Sequence, residues 1–276
     1  MATRILIPIL TLLVLAASSG PAAAQANQST GTKDWLPCPQ CQTPEDRAAA
    51  RARAANLPFN PRDLNGVWNQ NRIQLSAAAP EMTAWGKQRY EATMSVEGAP
   101  GAWLGKDPML ICDPLGWPRW FTYNYGFEFI QLPDRLLQHL EWGHTFRTIW
   151  MDGRKLPENP DPRWLGYSVG RWEGDTLVVE TVGFDDRSWV SENRRDRRFG
   201  YPHSDQMKTI EAYKRTAHNV IEASLTIIDP VAYTQPWVTV GNILRSPETE
   251  IGEYFCVPSD SEVHTQRVRE PAATGR

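Results

Sequence analysis

The chain has 276 residues, 41% hydrophobic and 22% charged, a composition able to build a core that excludes a wholly disordered polypeptide. A formal charge of −3 excludes the basic footprint of a nucleic-acid binder, so no nucleic-acid partner is expected. Twelve tryptophans and 22 prolines suit aromatic-rich strands broken by rigid turns better than long helices.

Residues 1–24 read as a secretory signal peptide. Arg4 gives a basic start, 5–17 is apolar, and Ala22 and Ala24 place small residues at the cleavage subsites. A periplasmic or secreted protein cleaved after Ala24 is predicted. No membrane insertion is expected, since no later stretch approaches the ~20 apolar residues of a spanning helix.

In an oxidising compartment Cys38, Cys41, Cys112 and Cys256 are expected to form disulfides. The preferred pairing is Cys38 with Cys41 and Cys112 with Cys256, although four cysteines allow other pairings. The Cys38-Pro39-Gln40-Cys41 run lies between prolines in a tail, with no second such pair, which argues against a redox or zinc role. Neither metal nor cofactor is expected.

Residues 25–62 form a tail with a surface helix at 45–55. Pro80 and Glu81 start a second helix reaching about Met94, with Met82, Trp85 and Tyr90 on its apolar side. A loop follows at 97–107. From Phe127 the hydrophobic period changes to two, predicting strands at 127–132, 136–142 and 145–151, the last stopped by Asp152-Gly153-Arg154. A proline-rich connection at 156–162 leads to strands at 167–172 and 176–182 around Glu173-Gly174-Asp175, a tight hairpin. A second hairpin joins 209–215 to 220–228, and strands at 237–244 and 253–257 complete the series. With a first strand at 66–68, about ten short strands result.

Strands at this spacing close most economically as an all-β fold, an antiparallel up-and-down barrel over 63–258 with short N-terminal helices outside and a disordered tail at 259–276. Gly66-Val67-Trp68 matches the Gly-x-Trp opening of lipocalin-like barrels. A β-sandwich is the alternative.

Several runs carry a resemblance. They are Met151-Asp152-Gly153-Arg154, the stretch from Gly166 through Ser168, Gly170-Arg171-Trp172-Glu173-Gly174-Asp175 and Thr176 to Val179, Pro202-His203-Ser204, and Asp229-Pro230 with Tyr233-Thr234 and Pro236-Trp237. Over roughly 63–257 the chain resembles an uncharacterised family of exported bacterial proteins with a lipocalin-like, or calycin-like, barrel. Tyr167 stands where many relatives carry histidine, and 193–199 resembles an insertion of extra arginines. The resemblance implies shared architecture rather than a reaction.

Strand alternation sorts the residues able to carry chemistry. Leu137, His139 and Glu141 share one face, and Arg147 shares a face with Ile149 in the next strand. If Glu141 and Arg147 point inward they pair across the barrel; the alternative is a solvent-facing ion pair worth about 0.5 kcal/mol. His203, between Pro202 and Ser204-Asp205, brings an imidazole to a strand entry, with a structural tie to the barrel as its alternative. Glu211 alternates with Thr209, Tyr213 and Arg215 on one face of its strand and suits a buried acid, with a water-facing position as the alternative. Glu141 and His144 fall on opposite strand faces, which disfavours shared metal ligation.

Arg147 and Arg154 are candidate charge stabilisers, with turn chemistry as the alternative for Arg154. Trp172 and Tyr233 are candidate ligand contacts, and Asp229 either joins them or caps its turn. Arg194, Arg195, Arg197 and Arg198 read as a solvated loop or a contact for an anion.

These residues suggest a small-molecule ligand inside the barrel, with aromatic walls that suit aromatic, apolar or sugar-like compounds. The leading expectation is cofactor-free proton transfer in the lyase, isomerase or hydrolase class, with Glu141, His203 and Glu211 as acids and bases. A non-catalytic periplasmic carrier is the alternative, and an envelope scaffold a third.

Overall fold

Runs of alternating burial set the strands of this chain. In order, the elements are β1 (Gly66–Asn69), α1 (Ala84–Ala92), a 3-10 turn (Pro108–Ile111), α2 (Arg119–Thr122), β2 (Gly126–Gln131), β3 (Arg135–Leu140), β4 (Thr145–Trp150), β5 (Tyr167–Glu173), β6 (Thr176–Val182), β7 (Ser191–Glu192), β8 (Gly200–Tyr201), β9 (Lys208–Ala217), β10 (Val220–Ile228) and β11 (Trp237–Arg245). This computed structural model describes residues 57–69, 79–94, 106–123, 125–192, 200–245 and 251–257, with isolated positions between 43 and 52. All belong to one unit, Cys38–Arg276. The expected leader, the Cys38–Cys41 pair, most of the 45–55 helix, the arginine loop and the C-terminal tail lie outside the described residues.

The strands form a closed barrel in the order β1-β11-β10-β9-β6-β5-β4-β3-β2, while β7 and β8 make a separate ribbon. The predicted hairpin at Glu173-Gly174-Asp175 is present, with Glu173 opposite Thr176 and Gly174 at a positive φ of 59°. In β9, Thr209, Glu211, Tyr213 and Arg215 are all buried whereas Lys214 and Thr216 are exposed, the period of two that puts one face on the core.

The fold is the expected all-β barrel, with one correction to its antiparallel pattern. β4 and β5 run parallel and share only two register positions, Ile149 with Ser168 and Trp150 with Val169. A parallel neighbour needs a crossover of a dozen or more residues. The proline-rich link after Met151 provides it, before Arg163 and Gly166 form a turn. Gly166 sits at φ 66°, and a Cβ there would lie 2.7 Å from Thr181 Cγ2 and 2.8 Å from Phe184 Cε1.

Two other expectations change. The strand foreseen at 253–257 is an irregular strap with one bridge, Trp142 to Tyr254. The second helix begins later than Pro80, because Met82 pairs with Tyr233 and Thr83 is the N-cap, its hydroxyl accepting from the Gly86 N–H at 3.1 Å. Such a cap contributes about 1 kcal/mol.

The barrel interior is packed. Trp117, Trp120 and Phe121, in and just before α2, are buried among inward-facing strand residues. Trp120 meets Phe127 edge-on at 5.5 Å and Phe121 meets Tyr213 at 6.1 Å. Residues 117–121 are therefore a plug, held by a buried ion pair between Arg119 and Asp107. The aromatic crowding after Trp117 fills the interior rather than lining an open central cavity.

Candidate functional site

A buried polar constellation lies inside the barrel. Arg147 projects from β4, and its Nη1 and Nη2 donate to the Glu211 carboxylate from β9 at 2.8 and 2.7 Å. The same guanidinium donates to Ser168, Gln138 and Thr181 at 3.1, 3.3 and 2.8 Å, and Trp117 covers it with Cζ 3.6 Å from the ring centroid. The Tyr213 hydroxyl donates to Glu211 at 2.8 Å. Burial, and secondly the Glu211 charge, push the Tyr213 phenol well above its ordinary pKa, so it remains a donor. Glu211 thus has its charge balanced and its oxygens occupied by Arg147 and Tyr213.

Glu141 does not pair with Arg147. Gln138, not Glu141, stands opposite Arg147 in the β3–β4 register. The Glu141 carboxylate accepts instead from the Gly126 N–H and, at 3.0 Å, from the Gly252 N–H of the C-terminal strap. His144 reaches the same glycine, its Nε2–H donating to the Gly252 carbonyl at 2.9 Å, and the Gly143 N–H donates to Tyr254 at 2.7 Å. Glu141 and His144 therefore both meet one strap residue, Gly252. Among the described residues no cluster suits a metal ion.

His203 is wholly buried. Its Nδ1 lies 3.1 Å from the Ser204 carbonyl, which only accepts, so Nδ1 carries the proton and Nε2 accepts from the Ser188 hydroxyl at 2.8 Å. Burial, the largest effect, lowers its pKa and keeps the ring neutral. Asp229 caps its turn, accepting from the N–H groups of Ser204, Val231 and Ala232 and from the Ser204 hydroxyl. Tyr233 donates to the Pro202 carbonyl at 2.7 Å and is buried rather than on an open rim. Arg154 pairs with Asp152 in the turn and lies over Trp150 at 3.6 Å; Trp172 carries Arg62 at 5.7 Å.

A cavity of about 510 Å³ opens at the parallel seam. Its lining cuts through the barrel wall: Leu140, Arg147 and Ser168 come from the inward faces, and Phe146, Thr148 and Trp150 from the outward faces. Trp142, Trp164 and Tyr167 add aromatic walls, Arg163 adds a cation, and Phe255 with the Cys112–Cys256 disulfide closes one side. That disulfide is the expected pairing, with Cα atoms 5.3 Å apart.

Of the residues singled out in the sequence, Arg147 and the Cys112–Cys256 pair line this cavity. Glu141, His203, Glu211, Arg154, Tyr233, Trp172 and Asp229 do not. Phe146, Thr148 and Arg163 were missed because the cavity arises from a gap between strands, which alternation within each strand does not reveal. The proline-rich link preceding Gly166 was the available signal that the sheet is interrupted there.

Compared with protein-family models and with curated proteins, the chain matches none of them.

Proposed function

We propose that this is an exported, non-catalytic carrier that holds a small molecule with a flat apolar part in the seam cavity. The observation carrying this reading is the seam itself. A cavity of about 510 Å³, within the size range of ligand pockets, is lined by aromatic side chains on a polar floor of Arg147 and Ser168. Trp142, Trp164 and Phe146 offer flat surfaces whose burial against a ring would release ordered water.

The sequence also suggested acid/base catalysis by Glu141, His203 and Glu211. None of these lines the cavity, and each is engaged in holding the fold, so binding is the reading the geometry favours. Export is supported by the Cys112–Cys256 disulfide and the leader-like residues 1–24. Among the described residues no helix is long and apolar enough to cross a membrane.

The test is a titration with N-phenyl-1-naphthylamine, a neutral apolar dye that brightens on leaving water. Saturable brightening is expected, and Thr148→Trp, which fills the cavity, should abolish it while the barrel's near-ultraviolet circular dichroism persists. Absence of saturable binding, or equal binding by the filled variant, would overturn the proposal.

A further inference from the structure

Strand β4 is longer than its contact with β5. The Met151 N–H, just past β4, bonds to the Asp134 carbonyl on the β3 side at 2.8 Å. Peptide groups alternate sides along a strand, so those of Ile149, Arg147 and Thr145 also face β3. The groups of Trp150, Thr148 and Phe146 face the seam. With Ile149 opposite Ser168 in a parallel ladder, the Thr148 carbonyl and Trp150 N–H hold Ser168 through its own N–H and carbonyl. One step earlier the equivalent pair, the Phe146 carbonyl and the Thr148 N–H, faces the cavity with no strand beside it among the described residues.

A local turn creates this vacancy in the ladder. The Gly166 N–H bonds back to the Arg163 carbonyl at 3.2 Å, and Gly166 takes up a left-handed conformation. The chain therefore joins the sheet only at Tyr167, too late to meet Phe146.

We infer that the seam cavity takes the carboxyl-terminal end of a short apolar peptide, whose last residue seats its N–H on the Phe146 carbonyl and its terminal carbonyl oxygen on the Thr148 N–H. The inference rests on the cavity being the ligand site. An open strand edge is the usual template for adding an extended peptide. A ligand running parallel to β5 must end at this point, because Tyr167 fills the next place along the edge. Charge selects that direction. Arg163 is exposed, stacks on Tyr167 with Cζ 4.9 Å from the ring centroid, and has no carboxylate partner among the described residues. It favours a terminal carboxylate beside Tyr167, whereas an antiparallel peptide would bring an ammonium group there. Asp113, the carboxylate in the lining, has the Arg187 guanidinium within its electrostatic reach. Trp142, Trp150 and Phe255 supply apolar walls for the ligand side chains.

Four probes test the inference on the full chain: N-acetyl-Leu-Phe as the free acid, its carboxamide, the acid N-methylated at its last residue, and N-phenyl-1-naphthylamine. The acid should displace the dye, with the carboxamide and the N-methylated acid each about tenfold weaker. Arg163→Gln, an exposed change, should remove the difference between acid and carboxamide. If the dye binds but the three peptides compete equally, or none competes, the inference fails and the cavity reading stands. If the dye does not bind, the cavity reading fails as well.

Discussion

Arg147 and Glu211 clasp through the middle of the barrel from strands β4 and β9, with side-chain exposures of 1% and 0%. Five donor contacts satisfy the guanidinium, two to Glu211 and one each to Ser168, Gln138 and Thr181. A buried pair adds little net stability when complete, but removing one partner strands the other charge. Arg147→Met should therefore cost about 3–5 kcal/mol, and Arg147→Met with Glu211→Leu should cost less than the sum of the single changes. Urea denaturation of the three variants measures both effects.

His203 should make the fold acid-sensitive. Its folded pKa lies below the unfolded value of about 6.5, so above that pH neither state takes a proton and stability is complete. As pH falls below it, the unfolded chain binds the proton first and stability is lost down to the folded pKa. His139 is shifted in the same direction, by partial burial and then by His144, and contributes with the same sign. Thermal midpoints of the wild type should drop between pH 7 and pH 5, and His203→Gln should flatten that slope.

The strap at 251–257 is fastened by Glu141 and His144 at Gly252 and by the disulfide at Cys256. The disulfide spans a sequence separation of 144 residues, so reduction should cost about 2–5 kcal/mol. Phe255 belongs to the cavity wall, and dye affinity should fall on reduction. Fluorescence titration with and without dithiothreitol gives the comparison. Glu141→Gln should weaken the dye in the same direction, since an amide oxygen accepts less strongly than a carboxylate.

Gly166→Ala should destabilise the protein by about 1–3 kcal/mol through its left-handed backbone. The added Cβ would also meet Thr181, Phe184 and the Val182 carbonyl at 2.7 to 2.9 Å. Chemical denaturation tests this. Ala at Gly153, where φ is also positive but nothing lies within 4 Å, separates backbone strain from collision.

Much of the barrel was legible because period and turn chemistry are local. Thr209, Glu211, Tyr213 and Arg215 were assigned to one face and all are buried. The partner of Arg147 was not legible, because alternation assigns a face without assigning register. Glu141 carries the charge expected of a partner, yet Gln138 stands opposite Arg147 and Glu211 reaches it from across the barrel. The plug was hidden for a related reason: Trp117, Trp120 and Phe121 read equally well as strand or core. The parallel seam was hidden because the proline-rich link gives no direction for the strand that follows, and with the seam went most of the cavity wall.

The central claim is that ligand enters where β4 outruns β5. Backbone amide shifts followed by NMR during titration with N-phenyl-1-naphthylamine test it most directly. The account predicts perturbations gathered at Phe146, Thr148, Trp164, Tyr167 and Phe255, the residues around the seam. Perturbations centred instead on Ala212, Ser224 and Asn242, which line a different surface depression, would contradict it.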